Sequence, residues 1–143
     1  MTSTQLHTRG GTYRIATYPS NLSAVLLAAF ALSATHTTYG WITGIGDPSF
    51  TVTTPVAWAF YALGFGAAVV ARRPERWLQW ALVAYLGVLT AVALFWYPTT
   101  FVPRQQTVFG WFENDVYTAL LILAVYLGVQ NLRGVTMTAD RDQ

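Results

Sequence analysis

The stretch 55–97 reads PVAWAFYALGFGAAVVA, then RRPER, then WLQWALVAYLGVLTAVALFWY. Two uncharged apolar runs flank a short turn that holds Arg72, Arg73 and Arg76. A hydrocarbon layer about 30 Å thick is crossed by roughly 20 apolar residues in helical form, with about 17 as a working minimum. Both runs meet that length, and the basic turn between them is too short for anything but a tight hairpin. The pattern recurs on either side, at 21–39 and at 114–132.

Local signals set the expected ends. Pro19-Ser20 precede the first span, and Thr54 is placed as an N-cap with Pro55 at the first helical position. The third span, 74–97, opens at Pro74 and stops before Pro98, and Gly134 stands where the fourth would terminate. The sequence therefore predicts an all-α integral membrane protein, a four-transmembrane-helix bundle of two hairpins. Its spans lie at about 21–39, 55–71, 74–97 and 114–132 within a domain of residues 19–134. Polar tails occupy 1–18 and 135–143.

Composition agrees. Of 143 residues, 54% are hydrophobic and only 10% are charged, against about 25% charged in soluble domains. A surface so poor in charge suits lipid better than water. The eight basic residues are all arginine, and they are distributed unevenly. Arg14, the Arg72–Arg76 turn and Arg133 fall at one set of helix ends, whereas the long connections 40–54 and 98–112 contain only Arg104. Positive charge stays on the cytoplasmic side, so both termini are expected inside a multi-pass protein of the cell membrane. A competing reading makes the first span a cleaved signal peptide with Ala31-Leu32-Ser33 as its cleavage site. That would leave three helices with an outside N-terminus, against the arginine distribution.

The same inventory excludes several chemistries. With no cysteine, there is no disulfide, thiolate or Cys-based metal site. A net charge of +2 without a basic helix face speaks against nucleic acid. His7 lies in the polar tail, so His36 is left alone, where a di-haem site needs histidines on facing helices. Zinc would require His36, Glu113, Asp115 and one more ligand to converge. No metal is predicted, and no cofactor can be named. Hydroxyls and amides inside the spans are read as structural: Thr90 on its own backbone, Gln79 across helices.

Helices in lipid associate through small residues. The run of Ala57, Ala59, Ala62, Gly64, Gly66, Ala67, Ala68 and Ala71 predicts the second helix to be the most buried. Narrower stripes, Ala29-Ser33-His36-Gly40 and Tyr117-Ala124-Gly128-Asn131, lie on the first and fourth.

Polar and aromatic groups crowd the ends away from the arginine turn. His36 is expected in the last turn of the first helix, and Glu113, Asn114 and Asp115 in the first turn of the fourth. Acidic residues there complement the helix dipole and cap free N–H groups, and Trp and Tyr form belts at membrane interfaces. Those are the structural readings. The functional one encloses a pocket under the two long loops, with candidate ligand-binding residues His36, Trp41, Trp58, Trp96, Arg104, Trp111, Glu113, Asp115 and Tyr117. Ionisable groups within the membrane are costly and mark function by default.

No motif singles out a family among the small four-helix membrane proteins of prokaryotes. The leading expectation is a non-enzymatic bundle that binds an apolar ligand or lipid, or serves as an accessory subunit of a membrane complex. Its partners would be the lipid bilayer, an apolar small molecule, and a membrane protein or further copies of itself. The alternative is an enzyme acting on a lipid or isoprenoid at the outer leaflet, with His36 and Glu113 as acid and base. A second alternative is an oligomeric transporter or channel.

Overall fold

Long uncharged runs satisfy their backbone groups internally by coiling, and here every apolar run does so. The computed structural model describes residues 18–100 and 107–139. Among them are four α-helices and no strand: α1 (Tyr18–Thr43), α2 (Pro55–Val70), α3 (Arg76–Ala91) and α4 (Val108–Ala139). α3 is prolonged by a π-turn, Val92–Trp96, and a 3₁₀ turn, Tyr97–Thr100. Three stretches, Asn21–Thr43, Arg76–Thr100 and Val108–Arg133, are long and apolar enough to cross a membrane. α2 is apolar but shorter; its 16 residues rise about 24 Å at 1.5 Å each. The tails 1–17 and 140–143, and Arg104, lie outside the described residues.

Several boundaries differ from those expected, each for a local reason. α1 runs past Tyr39 to Thr43 and ends at Gly44, which adopts φ +71°. The left-handed conformation is open to glycine without a Cβ penalty. Gly40 stays helical because the following loop folds back onto it: Gly46 N–H donates to the Gly40 carbonyl at 2.9 Å. A Cβ on Gly46 would sit 3.0 Å from the Gly40 backbone. His36 is therefore about two turns inside the helix rather than in its last turn.

α4 begins at Val108, well before Asn114. Its cap is Thr107, whose hydroxyl accepts from Gly110 N–H at 3.0 Å, the bond an N-cap side chain makes to the third helical amide. Glu113, Asn114 and Asp115 thus belong to the second turn, and the capping role does not fall to them. At the other end α4 continues through Gly134 to Ala139. Glycine stops a helix only where the chain turns away after it, and no proline follows here.

Pro74 does not open α3. After α2 the chain turns at Ala71 and Arg72 and runs without regular structure to Glu75, the extended N-cap of a helix whose first residue is Arg76. Gln79 holds it there, with Nε2 donating to the Arg73 carbonyl at 2.6 Å and reaching the Ala71 carbonyl at 3.5 Å. Gln79 thus ties down the turn that joins α2 to α3. Thr54 occupies the N-cap position of α2 with Pro55 at N1, but its hydroxyl turns back to Thr51 instead of capping. Thr90 donates to the Leu86 carbonyl at 2.8 Å, the usual bond of a mid-helix hydroxyl.

α1 packs chiefly on α4 and α2, and α3 on α4, while α2 and α3 touch little. The core is one cluster: Leu22, Leu26 and Phe30 from α1, Ala67, Ala68 and Ala71 at the end of α2, Leu82 and Leu86 from α3, and Leu121, Ala124 and Leu127 from α4. α2 is not the most buried helix; α4 is. Of the small residues of α2, only Ala57, Gly64, Ala67 and Ala68 are buried, on a face where Gly64 admits the Phe30 ring and a Cβ would collide with it, while Ala59, Ala62 and Gly66 are exposed. The other face of α2 carries Val56, Trp58, Leu63 and Val69, all exposed. At the end marked by the arginine turn, Arg72 Nε donates to the buried Ser23 hydroxyl at 3.0 Å.

Candidate functional site

The opposite end gathers the C-terminus of α1, the loop 44–54, the start of α2, the π-turn after α3 and the first turns of α4. Spacing along α4 does the rest. Phe109, Glu113 and Tyr117 follow at intervals of four, so they share a face. That face meets α1 at His36. The imidazole stacks on Phe109 with ring centroids 6.0 Å apart and planes at 18°. Its Nδ1 lies 3.5 Å from Glu113 Oε2, close enough to pair but outside hydrogen-bond geometry.

Below and beside this pair the packing is aromatic. Phe30 touches Phe60 at 5.5 Å and Tyr117 at 6.3 Å, the latter edge-on. Phe50 from the loop closes over Phe60 at 5.5 Å. Tyr61 fastens α2 to α1: its hydroxyl is 2.6 Å from the Thr37 hydroxyl and donates to the Ser33 carbonyl at 3.1 Å. These contacts hold α1, α2 and α4 in fixed relation.

A cleft of about 340 Å³ remains between that assembly and the far end of α3. Its polar floor is His36, Glu113, Asn114 and Tyr117; its walls are Phe50, Phe60, Leu89, Val92, Ala93 and Trp96. The π-turn lies directly on it. A π-turn inserts one residue into the helical ladder and is often found at functional sites; here Val92, Ala93 and Trp96 of that turn all face the cleft. A smaller hollow of about 90 Å³, reaching Trp41 and Gly46, adjoins it and shares His36, Thr37 and Asp47.

The cleft's polar groups are unusually underused. Glu113 is 4% exposed and Asn114 5%. His36 Nδ1, Asn114 Oδ1 and Tyr117 Oη are buried without a hydrogen-bond partner, as are Thr118 Oγ1 and Tyr85 Oη close by in sequence on α4 and α3. A buried polar atom left unpaired costs about 1–3 kcal/mol. Three such atoms line one cleft, each with hydrogen-bonding capacity that the protein's own groups leave unused.

Of the residues singled out from sequence, His36, Trp96, Glu113 and Tyr117 line the cleft, and Trp41 lines the smaller hollow. Trp111 and Asp115 stand two positions either side of Glu113 and so point elsewhere; both are exposed. Trp58, 68% exposed, lies on the outer face of α2. Arg104 lies outside the described residues. His36 and Glu113 are together, but among the described residues no third metal-ligating side chain joins them. The cleft also contains residues that sequence reasoning passed over, Asn114 foremost, with Tyr61 bracing it from behind. The signal for Asn114 was Thr107, whose spacing to Gly110 starts α4 early and moves the amide into the helix interior, where it is disfavoured.

Comparison of the chain with known protein families, with curated proteins and with solved structures gives no match.

Proposed function

We propose that this chain is a multi-pass protein of the cell membrane that binds an amphipathic small molecule or lipid in the cleft beside His36 and Glu113. Three buried polar atoms without partners, on the floor of an otherwise apolar cleft, are the observation that carries the reading. Ligand sites are concave and mostly apolar, with a few polar groups that fix orientation. Exposed apolar side chains on α2 and the π-turn, such as Trp58, Leu63 and Phe95, support the membrane setting. In this reading all four helices cross as a bundle with both termini inside, α2 being the short span, and the cleft opens toward the outer leaflet.

Native mass spectrometry of the protein, extracted gently from its own membranes, tests this. The expected result is a retained molecule of defined mass that is lost in Asn114→Leu. A wild-type protein that emerges bare under conditions that keep lipids bound to other membrane proteins contradicts it. Release together with another polypeptide would make the chain a subunit instead.

A second reading, an enzyme acting on a lipid or isoprenoid, is favoured by one distance. His36 Nδ1 and Glu113 Oε2 stand 3.5 Å apart on the cleft, so both can reach one substrate atom. Recovery of the bound molecule unchanged after incubation in deuterated water supports the binder. Deuterium at one of its carbon atoms, absent with Glu113→Gln, supports the enzyme.

A further inference from the structure

We propose that the cleft is selective for a cationic head group, a monovalent organic ammonium carried on an apolar body. This rests on the binding reading above and names its ligand class. The first support is the sign of the lining. The acidic side chains on the cleft are Glu113 and Asp47, and among the described residues no arginine lines it. Arg72, Arg73, Arg76 and Arg133 are all at the opposite end of the helices. An anionic head group would meet the Glu113 and Asp47 carboxyls, and among the described residues no cation stands near enough to offset them.

The second support is the unpaired Asn114 Oδ1, on a residue 5% exposed that lines the cleft. This atom accepts hydrogen bonds and never donates them. A protonated amine supplies donors; a carboxylate or phosphodiester head supplies none.

The third support is the wall. Phe50, Phe60 and Trp96 surround the floor, and the faces of aromatic rings attract cations, Trp most strongly. The imidazole of His36 stands 3.5 Å from the Glu113 carboxyl without a hydrogen bond to it, which leaves that carboxyl to accept from the ligand's nitrogen.

The test compares three probes with one chain length, decyltrimethylammonium, decylamine and decanoate, with decanol as the neutral reference. Each is titrated into the full chain in a neutral sugar detergent. The protein carries 5-fluorotryptophan, and the Trp96 signal is assigned with Trp96→Phe. Trp58, on the outer face of α2, reports entry into the micelle alone. The expected result is a Trp96 shift at concentrations at least ten-fold lower for the two cations than for decanoate, with decylamine the tighter of the two cations, while Trp58 responds alike to all. In Glu113→Gln the ten-fold preference falls below three-fold. If decanoate shifts Trp96 at equal or lower concentration than the cations, the selectivity is overturned while the cleft remains a binding site. If no probe moves Trp96 apart from Trp58, the binding reading itself falls.

Discussion

Asn114, in the second turn of α4, buries a carbonyl oxygen that the fold leaves without a hydrogen bond. Replacement of an unsatisfied buried group by an apolar one of similar shape removes its desolvation cost. Asn114→Leu is therefore expected to stabilise the ligand-free protein by about 1 kcal/mol, read as a raised unfolding midpoint, while abolishing ligand retention. Such an opposition marks a residue kept for function at the expense of stability. A fall in stability would instead show that the amide is bonded within the fold. Glycines give a second contrast. Gly64 has the Phe30 ring against it, so Gly64→Val forces the ring aside and costs about 1–3 kcal/mol. Gly66 has open space at its Cβ position, so Gly66→Ala is expected to be neutral or stabilising by up to about 1 kcal/mol. Thermal unfolding of the two variants side by side checks the packing of α2 on α1.

At the scale of elements, the cleft depends on where α4 starts and on how α3 ends. Thr107 caps α4, and loss of an N-cap costs about 0.5–2 kcal/mol. Thr107→Val is expected to fray the first turn, seen as faster amide exchange at Gly110 and Trp111, and to weaken ligand binding by loosening Phe109 against His36. Unchanged exchange would show that packing alone holds the turn. The capping threonine was open to view in the sequence, yet the Glu-Asn-Asp run drew attention as the helix start because acidic residues favour that place. Only the structure shows that both a cap and an acidic group are present, one turn apart. The extension of α1 was hidden for a related reason. Gly40 looks like a stop, and it stays helical only because Gly46, beyond the turn, packs on it. The π-turn after α3 leaves no mark in the sequence, where Val92–Trp96 reads as five more apolar residues.

For the whole molecule, hydropathy and the lengths of the apolar runs were sufficient to place four helices, since both follow from counting residues. Their neighbours were not. Small residues made α2 look central, but a smooth face can be packed on one side alone, and Trp58, Leu63 and Val69 occupy the other. The meeting of His36 with Glu113 also depends on which helices adjoin, and many residues separate them along the chain. The expected topology has its own check, made simple by the lack of native cysteine. Ser49→Cys should react with a membrane-impermeant maleimide in intact cells, and Glu75→Cys only after lysis. The reverse pattern would invert the protein in the membrane.

Whether an amphipathic molecule occupies the cleft is decided by photo-crosslinking in native membranes. A decylamine bearing a diazirine is added, illuminated, and its attachment sites are mapped by mass spectrometry. Labelling is expected to concentrate on Val92, Trp96 and Tyr117 and to be lost when unmodified decylamine is in excess. Labelling spread over the outer face of α2, at Trp58 and Leu63, and indifferent to competition would contradict it.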